Sequence, residues 1–211
     1  MSDTLETRSA IAGLRFGAIG KRAVHACIDM QRLFAEDTEW ASPVVHAIEP
    51  TVRRIVAHAP HLTLFTRFLT PEHVEDAKGQ WQIYYRHWKS VLASNIDRDM
   101  LDLLPPLRPF VPPARVIDKY VHSAFEAQAF QDALDELAAD TIIFTGVETD
   151  VCVLATALTA VDRGYRTILV SDAIASSNAA SHKAALDGIY PRFDQQVELI
   201  DTDTLLKAWS P

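Results

Sequence analysis

The chain has 211 residues, of which 48% are hydrophobic, and its formal net charge at pH 7 is −8. This length and composition suit one domain with its own core, which we expect to span residues 1–211. The acidic balance, with no Lys/Arg-rich run, argues against a nucleic acid partner. No apolar stretch is long enough to cross a membrane, and the N-terminus lacks a secretory signal. We therefore expect a cytoplasmic protein.

The first part of the chain contains two predicted strands and one predicted helix. Residues 1–20 show little periodicity and are interpreted as an N-terminal arm. The apolar run Ala23–Ile28 predicts a first buried strand. Pro50 is typical of a helix start and predicts a helix over Thr51–Ala59. His61–Thr66 is predicted to be the second strand.

The segment 68–113 is the least regular part of the sequence and ends in a proline cluster. Its pattern WQIYYRHW places four aromatic residues on one helical face: Trp81, Tyr84, Tyr85 and Trp88. Such a face favours a core contact or a subunit interface, and a substrate lid is the alternative.

Strands and helices alternate through the rest of the chain. The predicted elements are a strand over Ala114–Ile117, a helix within Ser123–Leu137, a strand over Thr141–Phe144, a helix ending before Gly164, a strand over Thr167–Val170, a helix over Asn178–Gly188, a strand over Gln196–Ile200 and a short helix over Thr202–Trp209. This alternation predicts an α/β fold with three layers. Its centre is a doubly wound, mostly parallel six-stranded sheet with helices on both faces.

Cys152 follows the predicted strand Thr141–Phe144 and lies in the first turn of the next helix. Thr149 is the predicted N-cap, which makes Cys152 the third helical residue. The partial positive charge and free N–H groups of a helix N-terminus favour a thiolate there. The simpler interpretation is a small apolar residue packed in a helix, as expected for the second cysteine, Cys27.

Three polar residues follow three different predicted strands: Asp29, Lys119 and Cys152. The carboxyl ends of neighbouring parallel strands share one crevice, so these side chains could meet there. A carboxylate can accept the thiol proton, an ammonium group can stabilise negative charge, and a thiolate can attack an electrophilic carbon. Taken singly, an Asp or a Lys at a strand end is commonly just solvated.

The stretches IDMQRLF around Asp29, DKYVHSAF around Lys119 and TGVETDVCVLATALTAVDRGY around Cys152 resemble the isochorismatase-like cysteine hydrolases. That family includes nicotinamidases and N-carbamoylsarcosine amidohydrolases. The resemblance implies the family's fold and a triad with Asp29 as base, Lys119 as electrostatic partner and Cys152 as nucleophile. It also implies a homo-oligomer, either a dimer or a tetramer.

The resemblance further implies a cis peptide between Val147 and Glu148, with an oxyanion hole formed by the N–H groups of Glu148 and Cys152. Nicotinamidase-like members carry metal ligands after the second strand, where this chain has Phe68 and Thr70. Neither side chain suits that role, so the sequence predicts no zinc, no iron and no other cofactor. The same departure argues against nicotinamide as the substrate.

The expected reaction is hydrolysis of a C–N bond in a small amide or carbamoyl substrate through a cysteine thioester. The pocket wall is expected to contain Phe34, Arg67, Tyr120, Trp81 and Tyr85. Arg67 could pair with a substrate carboxylate, or it could form a structural ion pair.

Alternative functions remain open at this point. The chain could be a vinyl-ether hydrolase of the isochorismatase type, or an idle member that binds a metabolite or a protein partner. Phosphoryl transfer from Asp29 is disfavoured, because the sequence Asp29-Met30-Gln31 lacks the second carboxylate of an Asp-x-Asp motif.

Overall fold

The apolar runs of the sequence form the strands of one sheet in the computed structural model, which describes residues 14–211. The strands are β1 (Ala23–Ile28), β2 (Thr63–Phe68), β3 (Arg115–Lys119), β4 (Thr141–Val147), β5 (Arg166–Ala175) and β6 (Val197–Ile200). Their order is β3-β2-β1-β4-β5-β6, and every neighbouring pair is parallel. The predicted doubly wound, six-stranded sheet is confirmed.

Within residues 14–211, five α-helices connect these strands and a sixth follows β6: α1 (Pro43–His58), α2 (Trp81–His87), α3 (Gln128–Glu136), α4 (Cys152–Asp162), α5 (Ala179–Ala184) and, after β6, α6 (Thr202–Ala208). Successive residues of a strand point to opposite faces of the sheet. Val24 and Ala26 accordingly pack in the core formed with α3 and α4, whereas Cys27 packs in the core formed with α1 and α6. The helices therefore cover both faces, as predicted.

The start predicted for the first helix is wrong. α1 begins at Pro43, and Pro50 lies inside it. A proline suits the first turn of a helix because its missing N–H needs no partner there, and Pro43 occupies that place. The buried side chains of Val45 and Ile48 anchor the turns before Pro50, so apolar packing outweighs the local cost of an internal proline.

The segment 68–113 contains α2 and several short 3-10 turns. Its aromatic face packs inward: Tyr85 is buried, and the Tyr84 and Trp88 rings contact Trp40. In the predicted arm, residues 1–13 lie outside the described residues, and the N–H groups of residues 15 and 16 both bond to the Glu198 carboxylate. In the part of the chain that is described, no helix is long and apolar enough to cross a membrane.

Candidate active site

Asp29 follows the last residue of β1 and is completely buried. Its φ angle of 51° lies in the left-handed region, which aspartate tolerates better than most residues. Thr66 on the adjacent strand β2 donates its hydroxyl to the Asp29 carboxylate at 2.6 Å and accepts the Asp29 N–H at 3.1 Å. The two contacts fix the carboxylate at the carboxyl end of the sheet.

Lys119 is the last residue of β3, and it reaches Asp29 across the end of β2. Its Nζ lies 2.8 Å from Oδ2 of Asp29, and neither side chain is exposed. The ammonium group also donates to the Val121 carbonyl at 3.1 Å and lies 4.7 Å from the centre of the Phe68 ring. Burial alone would lower the pKa of Lys119, but the adjacent Asp29 carboxylate and the contact with Cys152 outweigh it and raise the pKa. Lys119 is therefore a cation at neutral pH.

Gly146 brings the end of β4 against β1. Its φ angle is 102°, and a Cβ atom at this position would lie 2.0 Å from the carbonyl oxygen of Ile28. Only glycine permits both this angle and this approach. The peptide bond between Val147 and Glu148 is cis. The chain then enters α4 beside Asp29.

The N-cap predicted for this helix is wrong. Val151 occupies the N-cap position and Cys152 is the first helical residue. The hydroxyl of Thr149 lies instead 2.9 Å from His182 Nδ1, and its carbonyl accepts the Tyr190 hydroxyl at 2.8 Å. Thr149 thus fixes the turn before the helix, because its polar groups are bonded to more distant elements.

Cys152 is 7% exposed, and its thiol lies next to both charges of the ion pair. Burial raises its pKa, the Asp29 carboxylate raises it further, and Lys119 opposes them without reversing the shift. The shift is opposite in direction to the thiolate expected from the helix N-terminus, because burial is the largest effect on the thiol. The thiol keeps its proton beside a carboxylate that can accept it.

His122 is a neighbour of the thiol that the sequence reasoning missed. Its Nδ1 atom lies 3.7 Å from Sγ of Cys152, and its ring packs against Trp81 and Phe68 with centroids 4.9 and 6.2 Å away. Burial and the Lys119 charge lower the pKa of His122, although Asp29 opposes them. The signal was its place three residues after Lys119 in the loop that leaves the sheet edge.

A cavity of about 250 Å³ lies beside Cys152. Of the residues predicted for the site, it is lined by Phe34, Val147 and Glu148 as well as by Cys152. Tyr84 and Trp88, from the aromatic face Trp81–Trp88 for which a substrate lid was the alternative, also line it. The lining residues that sequence reasoning missed are Glu39, Trp40, Ala41, Phe68, His122, Val151 and Ser177. Its wall is thus largely aromatic.

The other residues expected in the pocket wall lie elsewhere. Trp81, Tyr85 and Tyr120 line a second cavity of about 650 Å³, which does not include Cys152. Arg67 lines neither cavity, because its guanidinium binds both carboxylate oxygens of Asp118, at 2.7 and 3.0 Å. Of the two interpretations of Arg67, the structure shows the ion pair. Consecutive residues of a helix lie about 100° apart around its axis, and in α2 this places Tyr84 in the cavity beside Cys152 and Tyr85 in the other cavity.

Within residues 14–211, no group of three or more His, Cys, Asp or Glu side chains is placed to hold a metal ion. At the two positions compared above with the metal ligands of nicotinamidase-like proteins, the Phe68 ring packs against the Lys119 ammonium group, and Thr70 is buried. The expectation of a metal-free site stays a prediction.

Comparisons with known proteins agree with this architecture. The sequence is 25% identical over 189 residues to nicotinamidase 3 of Arabidopsis thaliana, covering 89% of each chain. The fold is similar to a cysteine hydrolase of Pseudomonas syringae pv. phaseolicola 1448A, with a TM-score of 0.80, 22% identity, and coverage of 92% of this chain and 95% of that one. It is also similar to N-carbamoylsarcosine amidase of Thermoplasma acidophilum, with a TM-score of 0.69, 20% identity, and coverage of 86% and 97%.

The family model for the isochorismatase domain matches residues 23–203, which include all six strands. Members of this family named above include hydrolases of the amidase type. The chain belongs to the isochorismatase family.

Proposed function

We propose that this chain is a cysteine hydrolase that cleaves a C–N bond in a small amide or carbamoyl compound. The observation that carries the proposal is the meeting of three side chains from distant parts of the sequence: a thiol at a cavity wall, a carboxylate beside it, and an ammonium group 2.8 Å from that carboxylate. Each has a role in acyl transfer to sulfur.

The first half of the reaction forms a thioester. Asp29 accepts the proton of the Cys152 thiol as the sulfur attacks the substrate carbonyl carbon. The C–N bond then breaks, Asp29 returns the proton to the departing nitrogen, and ammonia or an amine leaves. The raised pKa of the free thiol suits this order, because the sulfur becomes an anion only as it attacks. Lys119 stabilises the negative charge as it moves from Asp29 to the sulfur and the oxyanion.

The second half of the reaction releases the acid. Asp29 accepts a proton from a water molecule whose oxygen attacks the thioester carbon. The C–S bond breaks, and the proton passes to the sulfur of Cys152. The acid product leaves, and the thiol and the carboxylate are both restored.

The turn before α4 supports the proposed oxyanion hole. The Glu148 carbonyl accepts the N–H groups of Val151 and Val153 at 3.0 and 3.1 Å. The Cys152 N–H lies between them and, as the first of the helix, has no acceptor inside the helix. In the proposal it binds the oxyanion together with the Glu148 N–H. Loss of one such donor costs other enzymes about 3–4 kcal/mol of transition-state stabilisation.

The test measures ammonia release from a panel of small amides by the parent protein and by Cys152→Ala, Asp29→Asn and Lys119→Ala variants. Each substitution is expected to reduce kcat/KM by at least about a thousandfold, since each removes a group that acts in the same step. Cys27→Ala is the matched control, because Cys27 is also a buried cysteine but packs on the opposite face of the sheet. Normal turnover by the Cys152 variant would rule out covalent catalysis.

A further inference from the structure

Within residues 14–211, the wall of the cavity beside Cys152 is rich in aromatic side chains and carries acidic side chains but no Lys or Arg. Six of its side chains are aromatic: Phe34, Trp40, Phe68, Tyr84, Trp88 and His122. Among the described residues that line it, Glu39 and Glu148 are acidic, and none is Lys or Arg. Burial and the nearby Lys119 lower the pKa of His122, so its ring is neutral near pH 7 and adds no positive charge to the wall.

Two basic side chains on the strands beside the site, Lys119 and Arg67, are already paired. The Lys119 ammonium group contacts the Asp29 carboxylate at 2.8 Å and is closed off from solvent. Arg67 is held by both oxygens of Asp118 and by Asp102, which lies 3.4 Å away. A substrate carboxylate in the cavity would therefore lose its hydration without gaining a cationic partner, which is strongly unfavourable.

A positively charged substrate group, by contrast, would be stabilised by this wall. The faces of Trp, Tyr and Phe rings attract cations, most strongly where water is excluded. Trp40 and Trp88 pack edge to face with centroids 6.1 Å apart and form one side of the wall. The exposed Glu39 carboxylate lies at this side, where it accepts the Ser90 hydroxyl. Aromatic rings and a carboxylate together are suited to an ammonium group.

We propose that the cavity selects a small amide that carries an ammonium group remote from the amide, and that it rejects the carboxylate-bearing counterpart. This inference rests on the proposed function, which places the amide carbon at Cys152. The volume of about 250 Å³ is below the range of about 300–1,000 Å³ typical of drug-sized ligands. The substrate is accordingly a single-ring or short-chain compound.

The test compares three amides of matched size and different charge: 4-(aminomethyl)benzamide, 4-methylbenzamide and 4-carbamoylbenzoate. Their dissociation constants are measured by calorimetry on the Cys152→Ala variant, which binds without turnover, and their kcat/KM values on the parent protein. We expect the cation to bind at least about tenfold more tightly than the anion, with the neutral compound between them. Equal or tighter binding of the anion, or no binding of any of the three at millimolar concentration, would overturn the inference.

The Glu39→Gln substitution tests the source of the preference. It is expected to weaken binding of the cation by about threefold to tenfold and to leave the neutral amide unchanged. The control is Asp37→Asn, which removes the same charge from the same loop at a residue outside the cavity wall. Asparagine also tolerates the positive φ angle of Asp37. An equal effect of both substitutions would show a general effect of net charge and would overturn the role of Glu39.

The two proposals fail in different ways. If the amides bind in the expected order but the parent protein hydrolyses none of them and forms no thioester, the charge preference stands and the hydrolase proposal fails. If the anionic amide is hydrolysed as well as the cationic one, the hydrolase proposal stands and the charge preference fails.

Discussion

The buried ion pair between Lys119 and Asp29 should dominate the stability of the site. Lys119→Met keeps most of the apolar stem and removes the ammonium group. With the charges 2.8 Å apart, the Coulomb attraction is about 6 kcal/mol at an effective dielectric constant of about 20. The cost of dehydrating both groups offsets much of this attraction, but loss of one partner leaves the other charge buried and unpaired. The variant is therefore expected to lose about 3–5 kcal/mol of unfolding free energy.

A double-mutant cycle measures the interaction free energy between Asp29 and Lys119 separately from the other contacts of each residue. Asp29→Asn alone should also destabilise the fold, because the ammonium group then lacks its counter-charge. The double variant should lose less than the sum of the two single losses, by at least about 2 kcal/mol. Urea denaturation followed by tryptophan fluorescence gives the four free energies. The control is Arg115→Met, which breaks the exposed pair with Glu136 and should cost less than about 1 kcal/mol. Additive losses at Asp29 and Lys119 would refute the reasoning.

Three further predictions concern the surroundings of the site. Gly146→Ala should destabilise the fold by more than about 3 kcal/mol or prevent folding, because its Cβ would lie 2.0 Å from a carbonyl oxygen of β1; urea denaturation and soluble yield report this. Burial lowers the pKa of His25 to about 3, below the unfolded value of about 6.5. The unfolded state therefore binds more protons, and His25 should contribute a fall in stability of about 1.4 kcal/mol per pH unit as pH drops from about 6.5 towards 3. Unfolding measurements across this range should show a fall that is less steep by this amount in the His25→Gln variant. With Cys27 replaced by alanine, the midpoint pH for alkylation of Cys152 by iodoacetamide should fall in Asp29→Asn and rise in Lys119→Met. The reason is that the carboxylate raises the pKa of the thiol and the ammonium group lowers it. Equal midpoints in both variants would contradict this electrostatic account.

The architecture and the convergence of the site were predictable from local pattern. Apolar runs such as Ala23–Ile28 and Thr141–Phe144 mark buried parallel strands, and helical patterns between them require crossover connections. The residues that follow such strands share one edge of the sheet. The meeting of Asp29, Lys119 and Cys152 follows from that rule and from the resemblance of three motifs.

The remaining features depend on contacts between residues far apart in the sequence. Thr149 looks like an N-cap locally, but its hydroxyl is bonded to His182 from the segment after β5. The expectation of a thiolate at Cys152 did not include burial, which raises the pKa of the thiol. This burial arises only when the sheet, α4 and the loop that contains His122 pack together. Arg67 could have faced the cavity, and its orientation is decided by Asp118 on the neighbouring strand.

The pocket wall was the hardest part to predict. The WQIYYRHW pattern identified an aromatic face, but Tyr84 lines the cavity with Cys152 while Tyr85 lines the other cavity. The orientation of α2 about its own axis decides which tyrosine faces Cys152, and packing against Trp40 and Phe68 sets that orientation. Neither partner is close to α2 in sequence, so no local pattern records the choice.

The acyl group itself is the most direct test of the central claim. After a reactive small amide is mixed with the protein and quenched in acid within milliseconds, mass spectrometry of the digested chain should show the acyl mass on the peptide that contains Cys152. The signal should be absent from Cys152→Ala and should decay as acid product appears. Product formation at the normal rate with no acyl mass on Cys152 would contradict the account.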